Sequence, residues 1–147
     1  MRIACFSPLN PQPSGISDYT EALIPHLAER LGEIDLFIED YQPAARFTAP
    51  NLRIRPWQEF EADYQAGRYD AVLYQIGNNP FHVYIYDLAL RIPGVLVLHE
   101  FNLHYLVAHA TIARQDWNAY FREVAHDAGP DALGRAQQAQ AGVMQPD

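Results

Sequence analysis

Lysine is absent from the 147-residue chain, whose ten basic residues are all arginine. No side chain is therefore present to act as a lysine nucleophile, to form a Schiff base or to complete a phosphate-binding P-loop. The formal net charge is −8, and an acidic chain without a basic stripe is a poor match to the phosphate backbone of a nucleic acid. We therefore expect no nucleic-acid partner.

Cysteine is almost absent as well, because Cys5 is the only one. A single cysteine excludes an internal disulfide, which is typical of proteins in a reducing compartment. Its place inside an apolar run favours a small buried core side chain. No apolar run approaches the roughly 20 residues that a membrane-spanning helix requires, and no signal peptide is visible at Met1. The sequence predicts a cytoplasmic protein and leaves peripheral contact with a membrane open.

Hydrophobic residues make up 49% of the chain, which is enough for the core of one ordinary domain. Short apolar runs alternate with stretches in which apolar residues recur at helical spacing. The short runs predict strands at residues 2–7, 34–38, 52–55, 70–75 and 95–98. The other stretches predict helices at residues 17–31, 57–66, 81–91, 103–112 and 117–128, with a weak helix at 131–140.

Strands that alternate with helices predict an α/β fold, here a Rossmann-like three-layer sandwich with a parallel sheet. The expected strand order, numbered along the chain, is 3-2-1-4-5, which places the switch point between strands 1 and 4. We expect this domain to span residues 1–128, with residues 129–147 forming a weak helix or frayed tail. The strand at 95–98 is apolar throughout, a pattern typical of the buried middle of a parallel sheet.

Polar loops follow strands 1, 4 and 5, which this order makes neighbours. Ligands of open parallel sheets bind beyond the carboxyl ends of the strands, so the three loops predict one shared site. Its candidate residues are, in chain order, Ser14, Gly15, Ser17, Asn78, Asn79, His99 and Glu100.

The first loop leads into a helix for which Ser17 is the expected N-cap. Gly15 allows a sharp turn and a close approach to a ligand, and the free N–H groups of the helix end suit a phosphate or carboxylate. The loop lacks the further glycines of a dinucleotide-binding fingerprint. A proline-rich turn before a capped helix explains the same residues without a ligand. Pro25 predicts a kink within the helix.

The other two loops carry amides and a histidine. Asn78 and Asn79 offer donors and acceptors to a hydroxyl-rich ligand, although an Asx-type turn before a helix uses the same residues. His99 directly follows a strand, where its ring can donate to a hydroxyl or to a developing negative charge. Glu100 and His104 suggest a zinc-protease motif, but the second histidine comes one position late, so the two rings do not share a helix face and we expect no metal site.

Three segments together resemble the amino-terminal domain of retaining glycosyltransferases of family 4, which have the GT-B fold. They are residues 1–19, ending in Ser-Gly-Ile-Ser-Asp-Tyr, residues 74–82 (Tyr-Gln-Ile-Gly-Asn-Asn-Pro-Phe-His) and residues 97–100 (Val-Leu-His-Glu). The resemblance covers about residues 1–110. It implies two Rossmann-like domains facing each other across a cleft, the second of which holds a nucleotide-sugar donor. The implied reaction transfers the sugar with retained configuration and without a bound metal.

The resemblance also implies a role for each loop. His99 would be the catalytic residue, contacting the donor sugar. The donor phosphates would face Ser14, Gly15 and Ser17, and the acceptor side would include Asn78, Asn79 and Glu100. The expected partners are a carboxyl-terminal GT-B domain, which is absent from these residues, and a carbohydrate or glycolipid acceptor.

We expect the chain to be inactive alone and to bind no cofactor by itself. We also expect self-association, with a homodimer left open, because strand 5 and its covering helices should leave apolar surface exposed. The alternative is a non-catalytic Rossmann-like module for a small ligand or a protein. Neither the donor nor the acceptor can be identified from the sequence.

Overall fold

The computed structural model describes residues 1–143 and contains a parallel sheet. The sheet has five strands in the order β3-β2-β1-β4-β5. The strands are β1 (Arg2–Phe6), β2 (Glu33–Ile38), β3 (Leu52–Pro56), β4 (Ala71–Ile76) and β5 (Val95–Leu98). This order and the flanking helices confirm the predicted α/β, Rossmann-like fold.

Helices cover both faces of the sheet. They are α1 (Gly15–Leu31), α2 (Phe60–Gln65), α3 (Val83–Ala89), α4 (His104–Thr111) and α5 (Trp117–Val143), with 3₁₀ turns at Trp57–Glu59, Pro80–His82 and Ile112–Arg114. On one face, Ile24 of α1 packs in a cluster with buried Cys5. On the other face, Phe60 of α2 and Ile85 of α3 pack with the aromatic residues of the strands, including Phe6. No described helix is long and apolar enough to cross a membrane.

The start of α1 differs from the prediction. Ser14 has an extended backbone, and its Oγ accepts a hydrogen bond from the backbone N–H of Ile16. The predicted N-cap at Ser17 is therefore wrong, because the serine hydroxyl that satisfies the helix end lies three positions earlier. The sharp turn predicted at Gly15 is also wrong, since Gly15 is the first residue of α1. The helix runs on through Pro25.

The chain after residue 116 is more helical than the sequence suggested. Helix α5 contains one non-helical residue, Gly129 (φ 78°, ψ −177°), where two helical segments meet at a kink. The break falls where the composition changes, so the two separately predicted helices, at 117–128 and 131–140, are both found. Residues 144–147 of the predicted tail lie outside the described part of the chain.

Strand β5 is an exposed edge of the sheet. Its side chains Val95, Leu96 and Leu98 are 60%, 53% and 51% exposed. The predicted strand order already placed β5 at this edge, and the separate expectation of a buried central strand is wrong. An apolar run shows that a strand needs burial but not which neighbour covers it. Phe101 and Tyr105, exposed just beyond the strand, extend this apolar surface.

We expect the β5 edge to drive self-association, because it offers unpaired backbone groups and apolar side chains to a second copy. Light scattering at rising concentration should detect species heavier than one chain. Leu96→Glu should reduce their amount, whereas Leu31→Glu should not, because Leu31 is an exposed leucine near the end of α1. A single monomeric species at every concentration would contradict this expectation.

Candidate functional site

The loops after β1, β4 and β5 meet at the carboxyl edge of the sheet. Ile16 at the start of α1 reaches Gly77 after β4, where an added Cβ would overlap its Cδ1 atom. The Tyr19 ring packs edge-on against the His99 ring, with centroids 4.8 Å apart. These contacts connect the start of α1 with both of the other loops.

His99 lies at the centre of this group and is half-buried. Its backbone N–H donates to the Ile76 carbonyl at 2.9 Å, and its Nε2 lies 2.7 Å from Gln75 Oε1. Because an amide oxygen only accepts hydrogen bonds, Nε2 carries the proton and donates. Burial lowers the pKa of His99, so the imidazole is neutral at neutral pH.

Two residues beneath His99 were not selected from the sequence. Gln75 is 1% exposed and His82 is fully buried. His82 Nδ1 lies 2.9 Å from the Gln75 carbonyl oxygen, to which it donates. Burial lowers the pKa of His82 to about 4, against the effect of that hydrogen bond. The sequence did contain one signal for Gln75: it is a polar amide within the otherwise apolar strand β4, where a buried polar side chain needs a hydrogen-bond partner.

The side chain of His82 also has one unsatisfied atom. Its Nε2 is buried and has no hydrogen-bond partner within residues 1–143. That nitrogen faces Gly77, where an added Cβ would lie 3.1 Å away. With Nδ1 protonated, Nε2 is a bare acceptor, so the buried ring is neutral.

Of the three residues predicted to face the phosphates, the two serines use their hydroxyls within the protein and only Gly15 is exposed. The Ser14 hydroxyl caps α1, and the Ser17 hydroxyl is fully buried and donates to the Gln12 carbonyl oxygen at 3.2 Å. Gly15 is exposed, and a Cβ added there would have no neighbour within 4 Å. No acceptor for the Gly15 N–H is found within residues 1–143. The backbone at Gly15, rather than either serine hydroxyl, is thus open to an anion.

The predicted acceptor-side residues connect the loops. The Asn78 N–H donates to Glu100 Oε2 at 3.1 Å, while Asn78 Oδ1 accepts from the Leu106 N–H at 2.9 Å. Asn79 Oδ1 accepts from the Phe81 N–H at 3.0 Å, which is the Asx-type arrangement considered in the sequence analysis. Both amide oxygens therefore face the protein. The amide NH₂ groups of these asparagines make no hydrogen bond within the described residues and are available as donors.

A cluster of charges lies on the α2 side of the sheet. Asp35 of β2 is fully buried and accepts hydrogen bonds from Arg2 (2.7 Å), Arg53 (2.8 Å), Arg55 (3.1 Å) and the Tyr69 hydroxyl (2.8 Å). Burial raises the pKa of Asp35, but these hydrogen bonds outweigh it and lower the pKa to about 2. No pattern in the sequence predicted this cluster. Its partners are protein groups, so its role is structural.

Three clefts of about 560, 650 and 590 Å³ lie elsewhere on the molecule. The first follows β2 and β3 and includes Glu39 and Phe47, the second includes Trp57, and the third lies between Phe101 and α5. None of them is lined by Gly15, Asn78 or His99. Within residues 1–143, no group of three or more His, Cys, Asp and Glu side chains is arranged to hold a metal ion.

Comparisons of the chain with protein-family models, curated proteins and solved structures found no match. The structure establishes the Rossmann-like fold and the geometry of the loops. A function must therefore be inferred from the side chains in those loops and from the resemblance of their sequences.

Proposed function

We propose that this chain forms the acceptor-side domain of a retaining GT-B glycosyltransferase, which transfers a sugar from a nucleotide-sugar to a carbohydrate or glycolipid acceptor. The observation that carries the proposal is the position of His99. This residue directly follows β5, its ring packs against Tyr19 of α1, and its Nε2 donates a hydrogen bond to Gln75 Oε1. The motif resemblance at residues 74–82 and 97–100 includes both His99 and Gln75.

A neutral His99 suits contact with a sugar. A neutral imidazole can exchange a hydrogen bond with a hydroxyl group without the desolvation cost of bringing a charge into a partly buried site. The nearby start of α1 provides the complementary group for the donor phosphates, namely the exposed Gly15 N–H at the positive end of the helix dipole. In this proposal, Ser14 and Ser17 shape the helix start and do not bind the phosphates through their hydroxyls.

The acceptor side is supported by the asparagine amides. Asn78 and Asn79 direct their oxygens into the protein, and their NH₂ groups remain to donate to acceptor hydroxyls. Glu100 holds the Asn78 backbone at the end of β5 and so sets the distance between the two loops.

Ligand-observed NMR with UDP-glucose and GDP-mannose tests this proposal. Saturation transfer to the sugar protons is expected when this chain is joined to a second, donor-holding domain, and not with the 147 residues alone. His99→Ala should weaken binding about tenfold, because one hydrogen bond in a partly buried site contributes about 1.4 kcal/mol. His26→Ala is the matched control, since the His26 side chain is 74% exposed on α1.

Other results would contradict the proposal. These are the absence of saturation transfer from both probes in the two-domain protein, or equal binding by its His99→Ala variant. Transfer to an acceptor is expected only when a second, donor-holding domain is present. Turnover by these 147 residues alone, lost in His99→Ala, would show that no second domain is needed.

A second candidate function is a non-catalytic protein-interaction module, favoured by the exposed apolar edge at β5. Val95 and Leu96 are more than half exposed on successive positions of that strand, so both of its faces lack cover. Association that depends on Leu96, without any sugar binding, would support this alternative.

A further inference from the structure

We propose that Gln75 is a positioning residue that holds His99 in the Nε2–H tautomer, and that buried His82 fixes Gln75 in place. The inference deepens the proposed function, because it specifies which atom of His99 is presented to a ligand. It rests on the contact of the His82 ring with the Gln75 backbone carbonyl and of the Gln75 side chain with the His99 ring. It predicts properties that can be measured without any ligand.

The evidence is a chain of two hydrogen bonds. His82 Nδ1 donates to the Gln75 backbone carbonyl oxygen at 2.9 Å, and Gln75 Oε1 accepts from His99 Nε2 at 2.7 Å. Each acceptor is a carbonyl oxygen, so the facing ring nitrogen must carry a proton. Gln75 and His82 are both almost fully buried, so water cannot readily replace either contact. The buried residues thus determine the tautomer of the half-buried one.

A consequence concerns what His99 can recognise. With Nε2–H directed at Gln75, the remaining ring nitrogen, Nδ1, has a lone pair and no hydrogen-bond partner within residues 1–143. A ligand group at Nδ1 must then donate a hydrogen, as a sugar hydroxyl does. A phosphate oxygen, which only accepts, is disfavoured there. The sequence-based expectation that His99 donates to a developing negative charge is replaced by an acceptor role for Nδ1.

Heteronuclear NMR of the imidazole rings tests the proposal. Protonated and bare ring nitrogens have different nitrogen chemical shifts, so the spectrum of the unmodified chain should show His99 as the Nε2–H tautomer and His82 as the Nδ1–H tautomer. Gln75→Met removes the acceptor at similar volume and should produce a mixture of His99 tautomers. His82→Leu should have the same effect, whereas His82→Asn should preserve the tautomer because its amide can still donate to Gln75.

Replacing the Gln75 amide by a carboxylate allows a second measurement, the pKa of His99. Gln75→Glu puts a carboxylate beside His99 Nε2 and should raise the His99 pKa by roughly one unit or more. The other ionisable groups near the ring are Tyr19, His82 and Glu100, whose carboxylate binds the Asn78 N–H. Gln58→Glu is the control, since Gln58 is exposed in the turn before α2.

The outcomes separate this proposal from the proposed function. An Nδ1–H tautomer of His99 in the unmodified chain would overturn the positioning role, even if Gln75 variants fail to fold. A folded Gln75→Met variant with unchanged His99 signals would also overturn it. If the tautomers are as expected and neither nucleotide-sugar binds the two-domain protein, the positioning role stands and the proposed function fails.

Discussion

Asp35→Ala should lower the free energy of unfolding by about 3 kcal/mol, the lower end of the range for breaking a buried charge pair. Asp35 is fully buried, and its removal leaves Arg2, Arg53 and Arg55 without their shared partner. The lower end is expected because the three arginine side chains are 28%, 49% and 20% exposed and can regain some water. Urea denaturation at neutral pH measures the change.

Asp40→Ala is the matched control, because Asp40 is exposed and forms no ion pair within residues 1–143. It should change stability by less than about 0.5 kcal/mol. If Asp35→Ala is as stable as this control, the free energy lost by desolvating the Asp35 carboxylate equals the stabilisation from its hydrogen bonds and ion pairs. That result would contradict a stabilising role for the cluster.

The same carboxylate should make stability depend on acidity. The pKa of Asp35 falls from 3.8 to about 2 on folding. A carboxyl group whose pKa is lower in the folded state stabilises that state fully at pH values above its unfolded-state pKa. This stabilisation is lost as the pH falls through the folded-state pKa. The part of the stability linked to this shift is about 2 kcal/mol. The difference between the unmodified chain and Asp35→Ala should therefore shrink between about pH 4 and pH 2.

Gly94→Ala is expected to cost about 2–3 kcal/mol, as overpacking of a tight site does. A Cβ at Gly94 would lie 2.6 Å from Tyr74 Cε2 and 2.8 Å from the Val72 carbonyl oxygen. The ring cannot move aside freely, because Tyr74 is fully buried and its hydroxyl donates to the Ile92 carbonyl oxygen at 3.0 Å. Gly94 immediately precedes β5, so the strain should loosen the docking of β5 on β4.

Two other glycines provide controls for Gly94→Ala in the same urea experiment. A Cβ added at Gly134 or Gly15 would meet no atom within 4 Å. Gly134→Ala in α5 should stabilise by up to about 1 kcal/mol, because alanine favours the helix. Gly15→Ala should be close to neutral, so a loss of phosphate binding in that variant would report on the site and not on folding. Equal stability of Gly94→Ala and the unmodified chain would contradict the predicted overlap.

The fold could be predicted from the sequence because local patterns and chain topology restrict it strongly. Apolar runs of strand length alternating with helical spacing leave few arrangements besides a parallel sheet with right-handed crossovers. The strand order and the positions of the strands followed from this pattern. The helix start at Ser14 did not, because Ser14 and Ser17 are both acceptable N-caps and only the path of the proline-rich loop distinguishes them.

The site was predictable in outline and not in its polar contacts. A loop after each of three adjacent strands indicated the carboxyl edge, so His99 and Asn78 could be expected near each other. The hydrogen-bond partners of His99 could not be predicted. Gln75 faces His99 from the neighbouring strand β4, and His82 reaches the Gln75 carbonyl oxygen only because the chain turns back after β4. Similarly, nothing in the local sequence around Asp35 signals that arginines on two other strands converge on it.

By itself, the sequence determined the class of fold, the strand order and the edge of the sheet at which polar residues gather. These properties depend on the periodicity of apolar residues, which is local and can be read along the chain. The tertiary structure alone decided that the Ser17 hydroxyl is buried, that His99 donates to Gln75, and that three arginines converge on Asp35. Those properties depend on which side chains meet across strands distant in sequence, because burial and hydrogen bonding are set by neighbours in space.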